Sequence, residues 1–119
     1  MRVNPNPLVS IAIPAYNPRF FRAALQSALD QTYENLEIVI CDDCPTDEIE
    51  QIVDSMSVPA HVRVNYQRNA VRLGFQQNLL HCFEKSRGEF IKFLCDDDQL
   101  MVNDVRQQAA VLSEHAEVI

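Results

Sequence analysis

Phe90-Ile-Lys-Phe-Leu-Cys-Asp-Asp-Asp-Gln-Leu100 sets a short apolar run directly against three consecutive carboxylates, Asp96, Asp97 and Asp98. The run from Phe90 to Cys95 is aromatic and branched, which predicts a buried strand. Adjacent anions at a strand end repel: two unit charges about 4 Å apart cost roughly 4 kcal/mol at an effective dielectric near 20. A bound divalent cation reverses that sign, and oxygen-seeking Mg2+ or Mn2+ suits carboxylates. Ligands of open α/β sheets bind beyond the carboxyl ends of the strands. The triplet therefore has the chemistry and the place for a metal that holds a phosphorylated ligand. It also fits a solvated acidic turn that caps the next helix, and the rest of the chain has to decide.

Upstream, Leu8-Val-Ser-Ile-Ala-Ile-Pro14 and Leu36-Glu-Ile-Val-Ile-Cys41 are nearly continuous apolar runs. That pattern predicts parallel strands covered on both faces. Pro14 is expected to end the first, since proline cannot donate to a ladder. Between them, Asn17-Pro18 signals a turn, and Arg19 to about Gln31 predicts a helix with Phe21, Leu25, Ala28 and Leu29 on one stripe. After the second strand comes the polar loop Asp42 to Asp47. Thr46 or Asp47 can cap a helix whose stripe is Ile49, Ile52, Val53 and Met56. His61 to Tyr66 alternates, as a half-exposed or edge strand does. A polar loop follows, Gln67 to Gly74, with Arg68, Asn69 and Arg72 in it; Gly74 is one of two glycines and predicts a special backbone conformation. The next helix runs from about Phe75 to Ser86, with Phe75, Leu79, Cys82 and Phe83 inward, and Arg87-Gly88 ends it. Beyond the acidic triplet, Asn103 or Asp104 opens a last helix with Val105, Ala109 and Leu112 inward, and Glu117-Val-Ile119 begins a further strand.

The order β-α-β-α-β-α-β-α-β predicts a Rossmann-like α/β domain over 1–119, with a mostly parallel sheet, helices on both faces and right-handed crossovers. The 119 residues, 47% of them hydrophobic, suffice for a folded core. A net charge of −7 argues against nucleic acid as a partner. No apolar run approaches the roughly 18 residues of a membrane span, and Met1 to Pro7 lacks a signal-peptide core. A cytoplasmic location is expected, with peripheral attachment at the inner face of the membrane as a variant for a longer protein. Cys41-Asp-Asp-Cys44 has C-x-x-C spacing, but Cys82 and Cys95 are too far apart in sequence to be a second zinc pair. Buried free thiols are the simpler expectation.

In a parallel sheet the strand ends share one edge. That edge would gather Pro14, Ala15, Tyr16 and Asn17, then Asp42 and Asp43, then Arg68, Asn69 and Arg72, and finally Asp96, Asp97 and Asp98. This is the layout of a nucleotide site at a topological switch point. Neither G-x-G-x-x-G nor G-x-x-x-x-G-K-[ST] occurs. A metal on carboxylates is then the natural way to neutralise a diphosphate.

Val9-Ser-Ile-Ala-Ile-Pro-Ala-Tyr-Asn17, Glu37-Ile-Val-Ile-Cys-Asp-Asp43 and Gly88-Glu-Phe-Ile-Lys-Phe-Leu-Cys-Asp-Asp-Asp98 resemble, in that order, family 2 glycosyltransferases of the GT-A fold. The resemblance spans essentially the whole chain. It implies a nucleotide-diphosphate-sugar donor, most simply a UDP-sugar, a D-x-D-type site for Mn2+ or Mg2+, and inversion at the anomeric carbon. Carried onto this sequence, Pro14, Ala15 and Tyr16 line the base and ribose. Asp43, with Asp42 beside it, bonds the base or the ribose, and Arg72 places a cation near the nucleotide. Asp96 contacts nucleotide or metal. Asp96, Asp97 and Asp98 remain alternatives for the metal ligand. Each residue also has a structural reading: Tyr16 as a core aromatic, Asp43 as a helix cap, Arg72 as a surface charge, Asn78 as a packing residue. The match to an Asn-x-Gly…Asn pattern at Asn69, Gly74 and Asn78 is loose. Two departures stand out: Asp42-Asp43-Cys44-Pro45 replaces the usual Asp-Asp-Gly-Ser loop, and Cys95 occupies a position where an aspartate is common.

The family's catalytic base and its saccharide or lipid-linked acceptor site belong to a second half, so this chain is expected to be the donor-binding part of a longer enzyme. Two other functions compete. One is a nucleotide-binding module without catalysis. The other is a nucleotidyltransferase, for which Pro14-Ala-Tyr-Asn-Pro18 is a poor substitute for a glycine-rich basic loop. A sheet left open at one edge also predicts self-association.

Overall fold

The computed structural model describes residues 5–115. Strands β1 (Val9–Ala15) and β2 (Leu36–Asp42) are buried along their whole length, as their unbroken apolar runs require. With β3 (Val62–Arg68) and β4 (Phe90–Phe93) they form a four-stranded sheet in the order β3-β2-β1-β4. All three pairings are parallel. The expected strand at Glu117–Ile119 lies outside the described residues. Helices α1 (Phe21–Leu29), α2 (Glu48–Ser55) and α4 (Asp104–Glu114) bury Phe21, Leu25, Ile49, Val105 and Ala109 on one face of the sheet. Helix α3 (Phe75–Lys85) covers the other, where Cys82 meets Ala12, Val39 and Cys41. Among the described residues no helix is long and apolar enough to cross a membrane.

The structure revises several sequence-based expectations. Pro14 does not end β1; it pairs with Cys41, and the strand continues to Ala15. Backbone groups alternate sides along a strand. Ala12 accepts from Leu94 N (3.0 Å) toward β4, so Pro14 faces the same way, past the last β4 pair at Phe93. The missing N–H falls where the ladder has already stopped. Strand β4 itself is shorter than the predicted run and only half buried, because it is an edge strand with Ile91 and Phe93 partly exposed. Helix α1 starts after a 3-10 turn at Pro18–Phe20 and stops at Leu29. Asp47 pairs with Arg68, not with the N-terminus of α2, and Glu48 N leans on Thr46 Oγ1 at 3.4 Å.

Phe75 is the largest miss on α3. It was expected inward but is 62% exposed, while Asn78 is buried at 2%. Asn78 can occupy a core position because both ends of its amide are bonded: Nδ2 donates to Cys41 O (2.9 Å) and Oδ1 accepts from Asn69 Nδ2 (2.9 Å). Leu79 and Phe83 are half-buried, and Phe83 sits edge-on to Phe93, with centroids 4.2 Å apart.

A buried polar brace feeds the chain into β4. Glu37 Oε2 accepts from Arg87 N (2.7 Å) and from the Ser10 hydroxyl, and Ser10 Oγ accepts from Gly88 N (2.8 Å). At the far edge, the Tyr66 hydroxyl donates to the buried Asp42 carboxylate. Burial, then that carboxylate, pushes the Tyr66 phenol well above its ordinary pKa. The folded-state value lies above that of the unfolded chain. The contribution to stability is therefore complete below about pH 10 and lost as pH rises through the folded value. Urea midpoints are expected to fall above about pH 10, with Tyr66→Phe removing that part of the decline. An identical alkaline decline in both proteins would refute this assignment.

Candidate functional site

The carboxyl ends of β1, β2 and β4 and the start of α3 enclose a cavity of about 370 Å³. Its lining includes Pro14, Tyr16, Asp43, Arg72, Asp96 and Asp97, with Asn17, Phe75, Asn78 and Cys95 completing it. A second cavity, of about 570 Å³, lies between the loops after β2 and β3 and shares Asp43 and Arg72 with the first. Residues up to 83 positions apart in sequence thus meet at one sheet edge, as parallel topology dictates.

Asp96 lines the cavity and braces the loop after β1. Its Oδ2 accepts from Tyr16 N and Asn17 N, both at 2.8 Å, so the end of β4 holds the loop after β1. Tyr16 is therefore partly exposed over the cavity and is not a core aromatic. The Arg72 guanidinium stands 4.5 Å from the Tyr16 ring centroid, a cation–π contact that places the positive charge above the cavity.

Three predicted site residues do not line it. Ala15 and Asp42 are fully buried. Both Asp42 oxygens are committed, one to Cys44 N (2.8 Å) and the other to Tyr66. The first of these bonds holds the turn in which Cys44 and Pro45 replace the usual glycine and serine. Asp98 turns away and accepts from Gln99 N (2.9 Å). Asp97 is exposed at the cavity and, among the described residues, has no hydrogen-bond partner. Cys95 is the one exposed cysteine, against the expectation of burial; partial desolvation of its thiol, then the charges of Asp97, Asp96 and Asp98, push its pKa up.

Asp43 is 5% exposed and accepts three bonds from the segment after β3: Asn69 Nδ2 (3.0 Å), Leu73 N (2.8 Å) and Gly74 N (2.9 Å). Sequence reasoning had no signal for these, since two of the donors are main-chain groups. Gly74 has φ +82° and ψ 166°, a conformation that side chains rarely adopt, although a Cβ there would meet nothing within 4 Å. Gly74→Ala should therefore cost about 1–3 kcal/mol from backbone strain alone. A urea titration checks it, and an unchanged midpoint would mean that the loop relaxes freely.

Residues 10–119 match the family model for glycosyl transferase family 2. The chain belongs to glycosyl transferase family 2. Among relatives, it is 37% identical over 107 residues to WfaP of Escherichia coli, named as UDP-Glc:alpha-D-GlcNAc-diphosphoundecaprenol beta-1,3-glucosyltransferase, covering 85% of this chain and 39% of WfaP. An uncharacterized glycosyltransferase of Rickettsia felis is 35% identical, over 91% of this chain and 18% of its own length. The chain thus spans less than half the length of these family 2 relatives. Among solved structures, S. aureus TarS 1-349 in complex with UDP-GlcNAc superposes with a TM-score of 0.80 at 25% identity, over 92% of this chain and 32% of TarS. The sheet and its helices accordingly correspond to part of a GT-A fold. The mannosyltransferase PcManGT of Pyrobaculum calidifontis, solved with GDP-Man and Mn2+, shares the fold at a TM-score of 0.73 and 20% identity, over 94% of this chain and 34% of that one.

Of the three carboxylates that line the cavity, Asp43 is engaged by Asn69, Leu73 and Gly74, which leaves Asp96 and Asp97 as the residues that could hold a metal. Their hard oxygens suit Mg2+ or Mn2+. Among the described residues no three His, Cys, Asp or Glu side chains converge to hold an ion. The remaining coordination would come from ligand oxygens and water, as these ions commonly arrange.

Proposed function

We propose that the intact protein transfers a sugar from a nucleotide-diphosphate-sugar, most simply a UDP-sugar, to an acceptor hydroxyl, and that this chain supplies the donor site. The observation that carries the reading is the cavity itself: an aromatic ring, a guanidinium and two free-edged carboxylates converge at the strand ends. Family membership and the UDP complex of TarS support it. Tyr16 and Pro14 offer flat apolar surface to base and ribose. Arg72 opposes phosphate charge. Asp96 fixes the Tyr16 loop, and Asp96 and Asp97 are the residues that would hold Mn2+ or Mg2+. When bound, such an ion would neutralise the diphosphate as it leaves. The acceptor would be deprotonated by a carboxylate outside this chain, with inversion at the anomeric carbon as the outcome of a single displacement.

The name of WfaP supports a lipid-linked acceptor. Such an acceptor favours a cytoplasmic location at the inner face of the membrane. The outer edge of β4 is where this chain would self-associate.

Calorimetric titration of UDP into the intact protein, with and without Mn2+, tests the donor site. Saturable binding strengthened by Mn2+ is expected. Binding without any transfer or donor hydrolysis would favour a binding module, and no UDP binding under either condition would overturn the reading.

A further inference from the structure

Phe75 is a large apolar ring that the fold keeps in water, 62% exposed, at the first residue of α3, where it lines the cavity. Its outward position is built in. Less than one turn further on, Asn78 takes the buried place and is tied to Cys41 O and Asn69. Immediately before the ring, the Gly74 amide donates to Asp43 Oδ2 at 2.9 Å. These bonds set the rotation and the start of the helix, and with them the place of the ring. Among the described residues no ring or cation meets it, whereas the Tyr16 ring already carries Arg72 at 4.5 Å. Strand β1 lies between β2 and β4, so Asp43, after β2, and Asp96 and Asp97, after β4, stand on opposite sides of the cavity. Phe75 belongs to the Asp43 side. There Asp43 uses three of a carboxylate's roughly four acceptor positions on Asn69, Leu73 and Gly74, and keeps one toward the cavity for an N–H of the base.

We propose that Phe75 binds the nucleobase of the donor: its ring is an aromatic wall at the Asp43 end of the cavity, on which the base stacks. The proposal deepens the donor-site reading above and rests on it. Stacking supplies affinity through the π-face of the base and leaves the reading of its edge to hydrogen bonds. Covering an exposed ring also removes apolar surface from water, which favours binding. The ring stands on a helix whose rotation is already fixed, so little entropy is lost in ordering it.

Calorimetric titration of the intact protein with UDP and with its 5,6-dihydro analogue, whose base is puckered and not aromatic, reads the contact. Phe75→Ala is expected to weaken UDP binding about tenfold, the scale of one base–aromatic contact, and to weaken binding of the dihydro analogue less. Phe75→Tyr, which keeps the ring, should bind UDP as the wild type does. Urea midpoints of both variants should match the wild type, because the ring is exposed and meets no other ring or cation. Equal losses for the two nucleotides in Phe75→Ala would place the ring away from the base and overturn the proposal. Unchanged UDP affinity in Phe75→Ala would overturn it as well. So would a loss of affinity accompanied by a lowered urea midpoint, since the ring would then be packed against the remainder of the intact protein. Failure of the wild type to bind UDP would strike the donor-site reading itself, and this proposal with it.

Discussion

Asp97→Asn in the intact enzyme is expected to lower sugar transfer by about 10²–10³-fold, the scale for losing one charge stabiliser at a reacting centre. The geometry singles out this carboxylate from its two neighbours. Asp96 spends Oδ2 on the Tyr16 and Asn17 amides, and Asp98 bonds Gln99 N outside the cavity. Asp97 faces the cavity with both oxygens uncommitted among the described residues. The same variant should lose the Mn2+ enhancement of UDP binding while retaining its folded stability, since it breaks no bond within the chain. Asp96→Asn should be milder, because an amide oxygen can still accept from both N–H groups. Steady-state kinetics of the two variants side by side provide the check. Normal metal-dependent turnover in Asp97→Asn would remove Asp97 from the site.

Gly88→Ala is expected to have the largest effect on stability. A Cβ at Gly88 would lie 2.6 Å from Ser10 N, 2.7 Å from Ser10 Oγ and 2.8 Å from Phe90 O. Two of these are main-chain atoms of paired strands and cannot swing aside. The clash also falls on the Ser10–Glu37 brace, so relief by moving the turn would unpair Gly88 N and leave buried groups short of partners. Overpacking with a disturbed polar brace should cost about 3 kcal/mol, or roughly 10 °C in melting temperature for a domain of this size. Thermal unfolding followed by circular dichroism measures it. A shift under a few degrees would show that the turn is more compliant than its contacts indicate.

What was legible in the sequence was whatever residue type alone encodes. The unbroken apolar runs of β1 and β2 announced strands covered on both faces, and the Phe21–Leu29 stripe and the alternation in β3 announced a buried helix face and an edge. The gathering of Tyr16, Asp43, Arg72, Asp96 and Asp97 followed from topology once the strands were known to be parallel. The misses share a cause. Asn78 is inward and Phe75 outward because hydrogen bonds to Cys41 O and Asn69, which hydrophobic periodicity does not register, set the rotation of α3. Pro14 sits inside a strand because its neighbour ends early. Asp42 and Asp98 looked equivalent to Asp43 and Asp97, and only main-chain donors and one tyrosine hydroxyl distinguish them.

The anchoring of Tyr16 by Asp96 has a consequence for how the protein is made. The loop after β1 leaves the ribosome early, yet the carboxylate that holds it follows 80 residues later. Contacts this distant in sequence form late and slowly, since the chain between them must first be closed. A nascent chain that has built β1, β2 and β3 would own most of the sheet and none of the finished cavity. Nucleotide affinity should therefore arise abruptly during synthesis, when β4 is inserted beside β1, and not grow strand by strand.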